Sequence, residues 1–136
     1  MPETETSRSD RVNIDESVIQ NYKSLTENPI IEESPFDTYK DVFMFAACLG
    51  YAAGDRKKLS AGKKHTIRRE VFTENDFILL KTIAIAETGD VQVLSRFDEI
   101  LTIAEEYAHA GIRALKAGLL DQHGRPLWNL VELLNS

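Results

Sequence analysis

Seven of the sixteen basic residues of this chain lie within positions 56–69, a stretch without aspartate or glutamate. This basic segment contains Arg56, Lys57, Lys58, Lys63, Lys64, Arg68 and Arg69. Clustered lysines and arginines attract phosphate groups over long range and release counterions when they bind nucleic acid. The segment therefore predicts contact with DNA phosphates, and these seven side chains are the candidate binding residues.

The charge of the rest of the chain has the opposite sign. The 136 residues include 16 Lys+Arg and 22 Asp+Glu, which gives a net charge of −6. The charge is −7 over residues 1–55, +7 over 56–69 and −6 over 70–136. An acidic chain normally makes a poor partner for nucleic acid. This uneven distribution nevertheless allows one basic edge to meet phosphates while the acidic body is repelled from them.

The same charge pattern is open to other interpretations. The basic segment could dock onto acidic helices of a partner or of a second copy of this chain, or it could be a solvated loop. It contains no Phe, Tyr or Trp on which a base could stack, so it predicts phosphate contact without base recognition. Lys64 follows Gly62-Lys63 where a P-loop would have Ser or Thr, so a nucleotide-binding P-loop is excluded.

The candidates for catalysis or metal binding are weak. The segment 106–109 has the Glu-x-x-His spacing of di-iron proteins, but the second copy that such a site needs is absent. We expect Glu105 and His109 to form a pair on a helix surface. Cys48 lies in an apolar run and is expected to be a buried thiol. The sequence predicts no catalytic residue, no metal and no cofactor; a small enzyme using Cys48 or His109 is the minor alternative.

Periodic apolar residues predict the elements that position the basic segment. Helices are expected at about 15–28, 37–54, 73–88, 96–119 and 126–134. Thr73 with Asp76, and Ser95 with Asp98, resemble capping boxes. The pattern predicts an all-α fold, a compact irregular bundle of about five helices, with at most a short strand or extended segment near 67–72. Trp128 follows the turn at 123–126, and it either packs on the last helix or is exposed at a protein interface.

The composition predicts one domain. Residues 1–13 are polar and are expected to be a disordered tail, and residues 14–136 are expected to form a single helical domain. No apolar run reaches the ~18 residues of a membrane span, and the N-terminus lacks a secretion signal. A single cysteine is not typical of a secreted disulfide-bonded domain. We therefore expect a cytoplasmic protein without contact with a membrane.

Three segments of the chain resemble those of a known family. They are YKDVFMFAACLGY at 39–51, AETGD at 86–90 and EEYAHAG at 105–111. In these segments the chain resembles the DNA phosphorothioation (Dnd) system-associated protein 4 family, small bacterial proteins encoded beside the genes for DNA sulfur modification and its linked restriction. The resemblance extends over about residues 36–119. It implies a setting in restriction-modification defence against foreign DNA and supplies no catalytic motif.

The residues and the resemblance together predict a function. We expect a non-enzymatic accessory protein of a bacterial DNA phosphorothioation modification and restriction system. It would contact DNA phosphates, or a DNA-bound protein of the Dnd system, through residues 56–69. The alternative is a protein–protein adaptor or self-associating subunit that does not touch DNA directly.

Overall fold

The computed structural model describes residues 11–135, and within them it confirms an all-α bundle with a short strand. In chain order the strands and helices are β1 Arg11–Asp15, α1 Ile19–Thr26, α2 Tyr39–Ala53, β2 Lys64–Arg68, α3 Glu74–Thr88, α4 Phe97–Leu115 and α5 Pro126–Leu134. Short 3-10 turns occupy Glu16–Val18, Arg69–Val71 and Val91–Ser95, and a π turn at Lys116–Leu120 follows α4. Most of the predicted tail, residues 1–10, lies outside the described residues.

Helix α4 is the centre of the bundle, and its crossing with α2 fixes the distance between the two backbones. A Cβ atom at Gly111 of α4 would lie 1.8 Å from the carbonyl oxygen of Ala46. A Cβ atom at Gly50 of α2 would lie 2.1 Å from the carbonyl oxygen of Tyr107. Such distances are far below van der Waals contact, so only glycine fits at these two positions.

The other helices cover α4 with apolar side chains. Tyr22 and Leu25 of α1, Phe43 of α2 and Leu80 of α3 are each at most 1% exposed. They form one continuous core with Ile100 and its apolar neighbours along α4. None of the helices within residues 11–135 has both the length and the apolar character needed to cross a bilayer.

The two strands form an antiparallel pair that joins the start of the described chain to its middle. Arg11 pairs with Arg68, and Asp15 pairs with Lys64. Val12 and Ile67 face the core, where they are 1% and 6% exposed. The strand β1 therefore includes residues 11–13, which the sequence assigned to the tail.

The position of the second strand also differs from the expectation. The extended segment predicted near 67–72 lies at 64–68, and a 3-10 turn follows it. One buried isoleucine in five residues gives a weak strand pattern, and the partner strand ends 49 positions earlier in the sequence, at Asp15. Periodicity within the segment could not place the strand correctly for this reason.

The two predicted capping boxes have different outcomes. The box of Thr73 and Asp76 is present at the start of α3, where each side chain accepts a hydrogen bond from the backbone N–H of the other residue. The prediction of a capping box at Ser95 and Asp98 was wrong, because no side chain caps the start of α4. The Ser95 hydroxyl instead donates to the carbonyl oxygen of Gln92, 2.8 Å away, because Ser95 belongs to the preceding 3-10 turn.

Candidate nucleic-acid interface

The structure divides the seven predicted cations between a loop and a strand. We call residues 54–63, which connect α2 to β2, the basic loop. The loop carries Arg56, Lys57, Lys58 and Lys63, β2 carries Lys64 and Arg68, and the turn after it carries Arg69. All seven are at least partly exposed. Their roles differ because their contacts differ.

Arg56 binds carboxylates of the protein itself. Its Nε donates to Glu106 Oε1 at 2.8 Å, and its Nη1 donates to Glu87 Oε2 at 2.7 Å. The hydroxyl of Tyr107 also donates a hydrogen bond to Glu87. Burial of Tyr107, together with this hydrogen bond, raises the pKa of Tyr107 to about 12. Arg56 thus ties the start of the basic loop to α3 and α4, and its charge is offset by two glutamates.

The backbone of the basic loop is held at two further points. The N–H of Lys57 donates to the carbonyl oxygen of Glu106 at 3.0 Å. The N–H of Ser60 donates to Asp15 Oδ2 at 2.5 Å. Lys64 closes the loop from β2, since its ammonium donates to the carbonyl oxygens of Gly62, at 2.6 Å, and of Ser60. Two elements distant in sequence, β1 and α4, and the adjacent strand β2 therefore fix the path of this loop.

The remaining lysines of the loop project into solvent. Lys57, Lys58 and Lys63 are exposed, and within residues 11–135 no carboxylate forms an ion pair with any of them. The hydrogen-bond partners of the Lys64 ammonium are neutral carbonyl oxygens. The basic loop and the first residue of β2 therefore present four ammonium groups that no carboxylate within residues 11–135 pairs with, on an ordered backbone.

The cations at the end of β2 are partly compensated. The Arg68 guanidinium lies 2.6 Å from Glu70, and both side chains are about two-thirds exposed. The Arg69 guanidinium lies over the rings of Phe97, at 4.4 Å from the centroid, and Phe77, at 5.6 Å. Such cation–π contacts hold an arginine in place and leave its outer edge accessible.

Arg11 is a basic residue outside the predicted segment of positions 56–69. It lies directly opposite Arg68 in the strand pair, so the cationic end of β2 extends onto β1. Its position in the sequence, at the edge of a polar tail, gave no reason to join it to residues 56–69. The alternation of apolar residues at positions 12 and 14 was the available signal for a strand.

A buried polar cluster lies beneath the basic loop. Its three members are buried: Asp15 is 2% exposed, Glu105 5% and His109 6%. The prediction that Glu105 and His109 form a pair on the helix surface was therefore wrong. The reason is that β1 covers this face of α4: the N–H of Asn13 donates to Glu105 Oε2 at 2.7 Å. His109 Nε2 lies 3.8 Å from Asp15 Oδ2.

Protonation in this cluster follows from its hydrogen bonds. Burial alone would raise the pKa of Asp15, but the backbone N–H groups of Ser60 and Ser17 stabilise the carboxylate and hold its pKa far below the ordinary value. Burial lowers the pKa of His109; the charge of Asp15 opposes this effect, and the charges of Arg113 and Lys57 add to it. Near neutral pH the cluster therefore contains a carboxylate that anchors the loop and an uncharged imidazole.

Comparison with known families shows which protein family the chain belongs to. A model of the family described as DNA sulphur modification system-associated protein 4 matches residues 11–136. The chain belongs to this family. The resemblance of the three segments is thereby confirmed, and the match includes both strands, all five described helices and the basic loop. No curated protein and no solved structure matches the chain. The family description associates the protein with a DNA sulphur modification system and suggests an accessory role.

Two further residues of this family member were singled out by the sequence. Cys48 is half-buried, and burial raises the pKa of its thiol, so the thiol is poorly disposed to act as a nucleophile. Trp128 is 54% exposed on α5, and its indole N–H lies 3.3 Å from Glu32 Oε2. Among residues 11–135 no cluster of three or more His, Cys, Asp or Glu side chains is arranged to hold a metal ion.

Proposed function

We propose that this protein is a non-enzymatic, cytoplasmic accessory component of a DNA phosphorothioation modification and restriction system, and that it contacts DNA phosphates through the basic loop. The exposed ammonium groups of Lys57, Lys58 and Lys63 support this proposal most directly, because they are uncompensated by the described carboxylates. They lie on a backbone that is already fixed by Asp15 and Glu106. A loop ordered before binding loses less conformational entropy when it meets a ligand.

The four lysines are the expected phosphate contacts. No carboxylate among the described residues pairs with Lys57, Lys58, Lys63 or Lys64, whereas Arg56 is held by Glu87 and Glu106. Arg68 and Arg69 are secondary contacts, since Glu70 and two aromatic rings already engage them. Four phosphate contacts correspond to a slope of roughly −3.6 in a plot of log K against log salt concentration.

This interface favours binding that does not depend on base sequence. The basic loop contains no aromatic side chain to stack on a base, and its cations outside Arg56 are lysines. Phosphate contacts position a protein on the duplex, while base-edge contacts specify a sequence. The remainder of the chain is acidic and is repelled by the DNA backbone, which restricts contact to the basic edge.

The proposal is tested by charge reversal in the loop. The triple variant Lys57→Glu/Lys58→Glu/Lys63→Glu and the parent chain are titrated with duplex DNA by fluorescence anisotropy between about 50 and 200 mM salt. The parent should bind with steep salt dependence, and the variant should bind at least tenfold more weakly, an order of magnitude set by three lost contacts.

The matched control carries the same change of net charge outside the loop. Lys23, Lys81 and Lys116 lie in α1, in α3 and in the π turn, and their replacement by glutamate should weaken binding far less. Circular dichroism should show that both variants remain folded. Equal losses in the two variants, or no binding by the parent at the lowest salt, would contradict the proposed contact.

A further inference from the structure

The strands β1 and β2 form a two-stranded ribbon with one apolar face and one polar face. Successive side chains of a strand point to opposite faces of a sheet. Val12, Ile14 and Ile67 share the inner face, which packs on the helical core, and each is at most 6% exposed. The alternate positions of both strands therefore belong to the outer face. We call this outer surface the ribbon face, and its residues are Arg11, Asn13, Thr66 and Arg68.

The ribbon face is cationic and open to solvent. Arg11, Thr66 and Arg68 are exposed, and Asn13 is half-buried. The register places Arg11 directly beside Arg68, and Asn13 beside Thr66. Glu70 lies 2.6 Å from the guanidinium of Arg68, with both side chains about two-thirds exposed. A surface ion pair of this kind contributes little free energy, so a ligand can take the place of Glu70.

The basic loop adjoins one end of the ribbon face. At that end the loop covers Asp15, which is 2% exposed and accepts a hydrogen bond from the N–H of Ser60. Lys63, the last residue of the loop, precedes Thr66 by three positions. Three residues of extended chain span about 10 Å. The exposed lysines of the loop and the arginines of the ribbon face are therefore neighbours on one side of the molecule.

The dimensions of the ribbon face match the major groove of duplex DNA. This groove is about 12 Å wide and admits a two-stranded β ribbon. Thr66 and Arg68 are about 6.6 Å apart along β2, which is close to the rise of two base pairs. The distance of about 10 Å from Lys63 to Thr66 is similar to the width of the groove. Lys63 can thus meet a phosphate at the groove edge while the ribbon face meets the bases.

The ribbon face also carries chemical groups that the exposed part of the basic loop lacks. The exposed loop cations that no described carboxylate pairs with are lysines, whose ammonium groups act as point charges. The ribbon face carries two arginines, and a planar guanidinium can donate two hydrogen bonds to O6 and N7 of guanine. The hydroxyl of threonine can bond to several base edges. These groups favour contact with base edges, in addition to the phosphates.

We propose that the ribbon face enters the major groove of duplex DNA, with Arg11 and Thr66 at the base edges and Arg68 beside them, while the lysines of the basic loop contact the flanking phosphates. This inference rests on the proposed function and adds a groove and base-edge contacts to it. Phosphate contacts position the protein on the duplex, and the ribbon face supplies the contacts that depend on the bases.

Base analogues separate contact with the major groove from contact with phosphates. A short duplex of guanine–cytosine pairs is prepared unmodified, with 7-deazaguanine for guanine, and with inosine for guanine. The first analogue lacks the N7 acceptor of the major groove, the second lacks the N2 amino group of the minor groove, and both keep every phosphate. In anisotropy titrations, the parent should bind the 7-deazaguanine duplex about threefold or more weakly than the unmodified duplex. Its affinity for the inosine duplex should change by less than about twofold.

Variants of the full chain assign this discrimination to the ribbon face. Arg11→Gln/Arg68→Gln should bind the unmodified and 7-deazaguanine duplexes with equal affinity. The control Lys23→Gln/Lys81→Gln removes the same charge from α1 and α3 and should discriminate like the parent. The triple lysine variant of the basic loop should bind every duplex more weakly but keep the ratio of affinities, because it loses only phosphate contacts. Circular dichroism of each variant controls for folding.

A carboxylate on the ribbon face supplies a second test that keeps both arginines. Thr66→Glu places a negative charge between the ribbon and the groove and should weaken binding to the unmodified duplex about tenfold. Thr82→Glu, at an exposed position of α3, carries the same change of charge and should weaken binding far less. Equal effects of these two substitutions would contradict the approach of DNA to the ribbon face.

The remaining outcomes distinguish this proposal from the proposed loop contact. Equal affinity of the parent for the unmodified and 7-deazaguanine duplexes would overturn the ribbon contact and leave the loop contact standing. Discrimination that persists in the double arginine variant, or a loss confined to the inosine duplex, would overturn it as well. Discrimination that depends on the arginines, with no effect of the loop lysines, would contradict only the loop contact. A parent that binds no duplex at low salt would contradict both.

Discussion

Two regions of the molecule have fixed backbones for different reasons. One is the crossing of α2 with α4, and the other is the basic loop. At the crossing, Gly50 and Gly111 bring two backbones into contact because no side chain separates them. In the loop, Asp15 and Glu106 supply acceptors that hold the backbone while lysine side chains remain free. The first region is sensitive to an added atom and the second to a lost acceptor. Exposed charge can be presented only in the second kind of region.

The largest expected effect is an added methyl group at the crossing. Gly111→Ala places a Cβ atom 1.8 Å from the carbonyl oxygen of Ala46, so α2 and α4 must separate. We expect a loss of about 3 kcal/mol or more in the free energy of unfolding, measured by urea titration. Gly118→Ala is the control, because a Cβ atom there meets nothing within 4 Å. Equal effects of the two substitutions would show that the crossing is not tightly constrained.

Removal of the loop anchor should have the next largest effect. Asp15→Ala removes the acceptor for the N–H groups of Ser17 and Ser60 and should cost about 2 kcal/mol. Hydrogen exchange at the Ser60 amide should accelerate as well. Asp90→Ala is the matched control, since Asp90 caps a 3-10 turn without holding the loop, and its loss should cost about 1 kcal/mol. An unchanged Ser60 exchange rate would contradict the anchoring role.

The buried His109 predicts a pH dependence of stability. Its pKa in the folded protein is lower than the ordinary value of 6.5, so the unfolded chain takes up the proton first as the pH falls. The free energy of unfolding should therefore decrease below about pH 6.5, with a slope of at most about 1.4 kcal/mol per pH unit from this residue.

Comparison of two histidine variants isolates this contribution. Urea titrations between about pH 5 and 8 avoid most of the titration of Asp15, whose depressed pKa matters only in stronger acid. His109→Gln should flatten the profile in this range. His123→Gln, at an exposed position, should leave it unchanged. A parent profile that is already flat would contradict the buried, uncharged state of His109.

The smallest expected effect comes from comparing two cations of the loop: Arg56, which is paired with glutamates, and Lys58, which is exposed. Arg56→Gln removes partly exposed contacts with Glu87 and Glu106 and should cost less than about 1 kcal/mol of stability. Lys58→Gln should leave stability unchanged and should weaken DNA binding more than Arg56→Gln does. Anisotropy titrations and thermal unfolding measure the two effects. The reverse order in DNA affinity would show that Arg56 leaves its glutamates to bind phosphate.

The helices were predictable because each carries its own signal. Apolar residues at helical spacing and the Thr73–Asp76 box are local features, and they located the five helices. The strand pair depends instead on residues more than fifty positions apart, such as Arg11 and Arg68. Periodicity within a short segment cannot reveal a partner at that distance, so residues 11–13 of β1 were assigned to the tail and β2 was placed too late in the chain.

The candidate site was predictable in composition but not in geometry. Charge clustering identified the seven cations, yet nothing in the sequence distinguished Arg56, which binds two glutamates, from its neighbour Lys57. The burial of Glu105 and His109 likewise follows from the position of β1 over α4. Side-chain roles here are set by long-range contacts, while sequence patterns report local ones.

The hydrogen bond between Ser60 and Asp15 also relates the loop to the order of folding. It joins residues 45 positions apart and requires β1 to have docked on the helical core. Contacts of such separation carry a large loop-closure entropy and tend to form late. During synthesis and early folding, the lysines of residues 57–63 would thus belong to a flexible polycation, and a defined arrangement of their charges would arise only when the N-terminal strand takes its place.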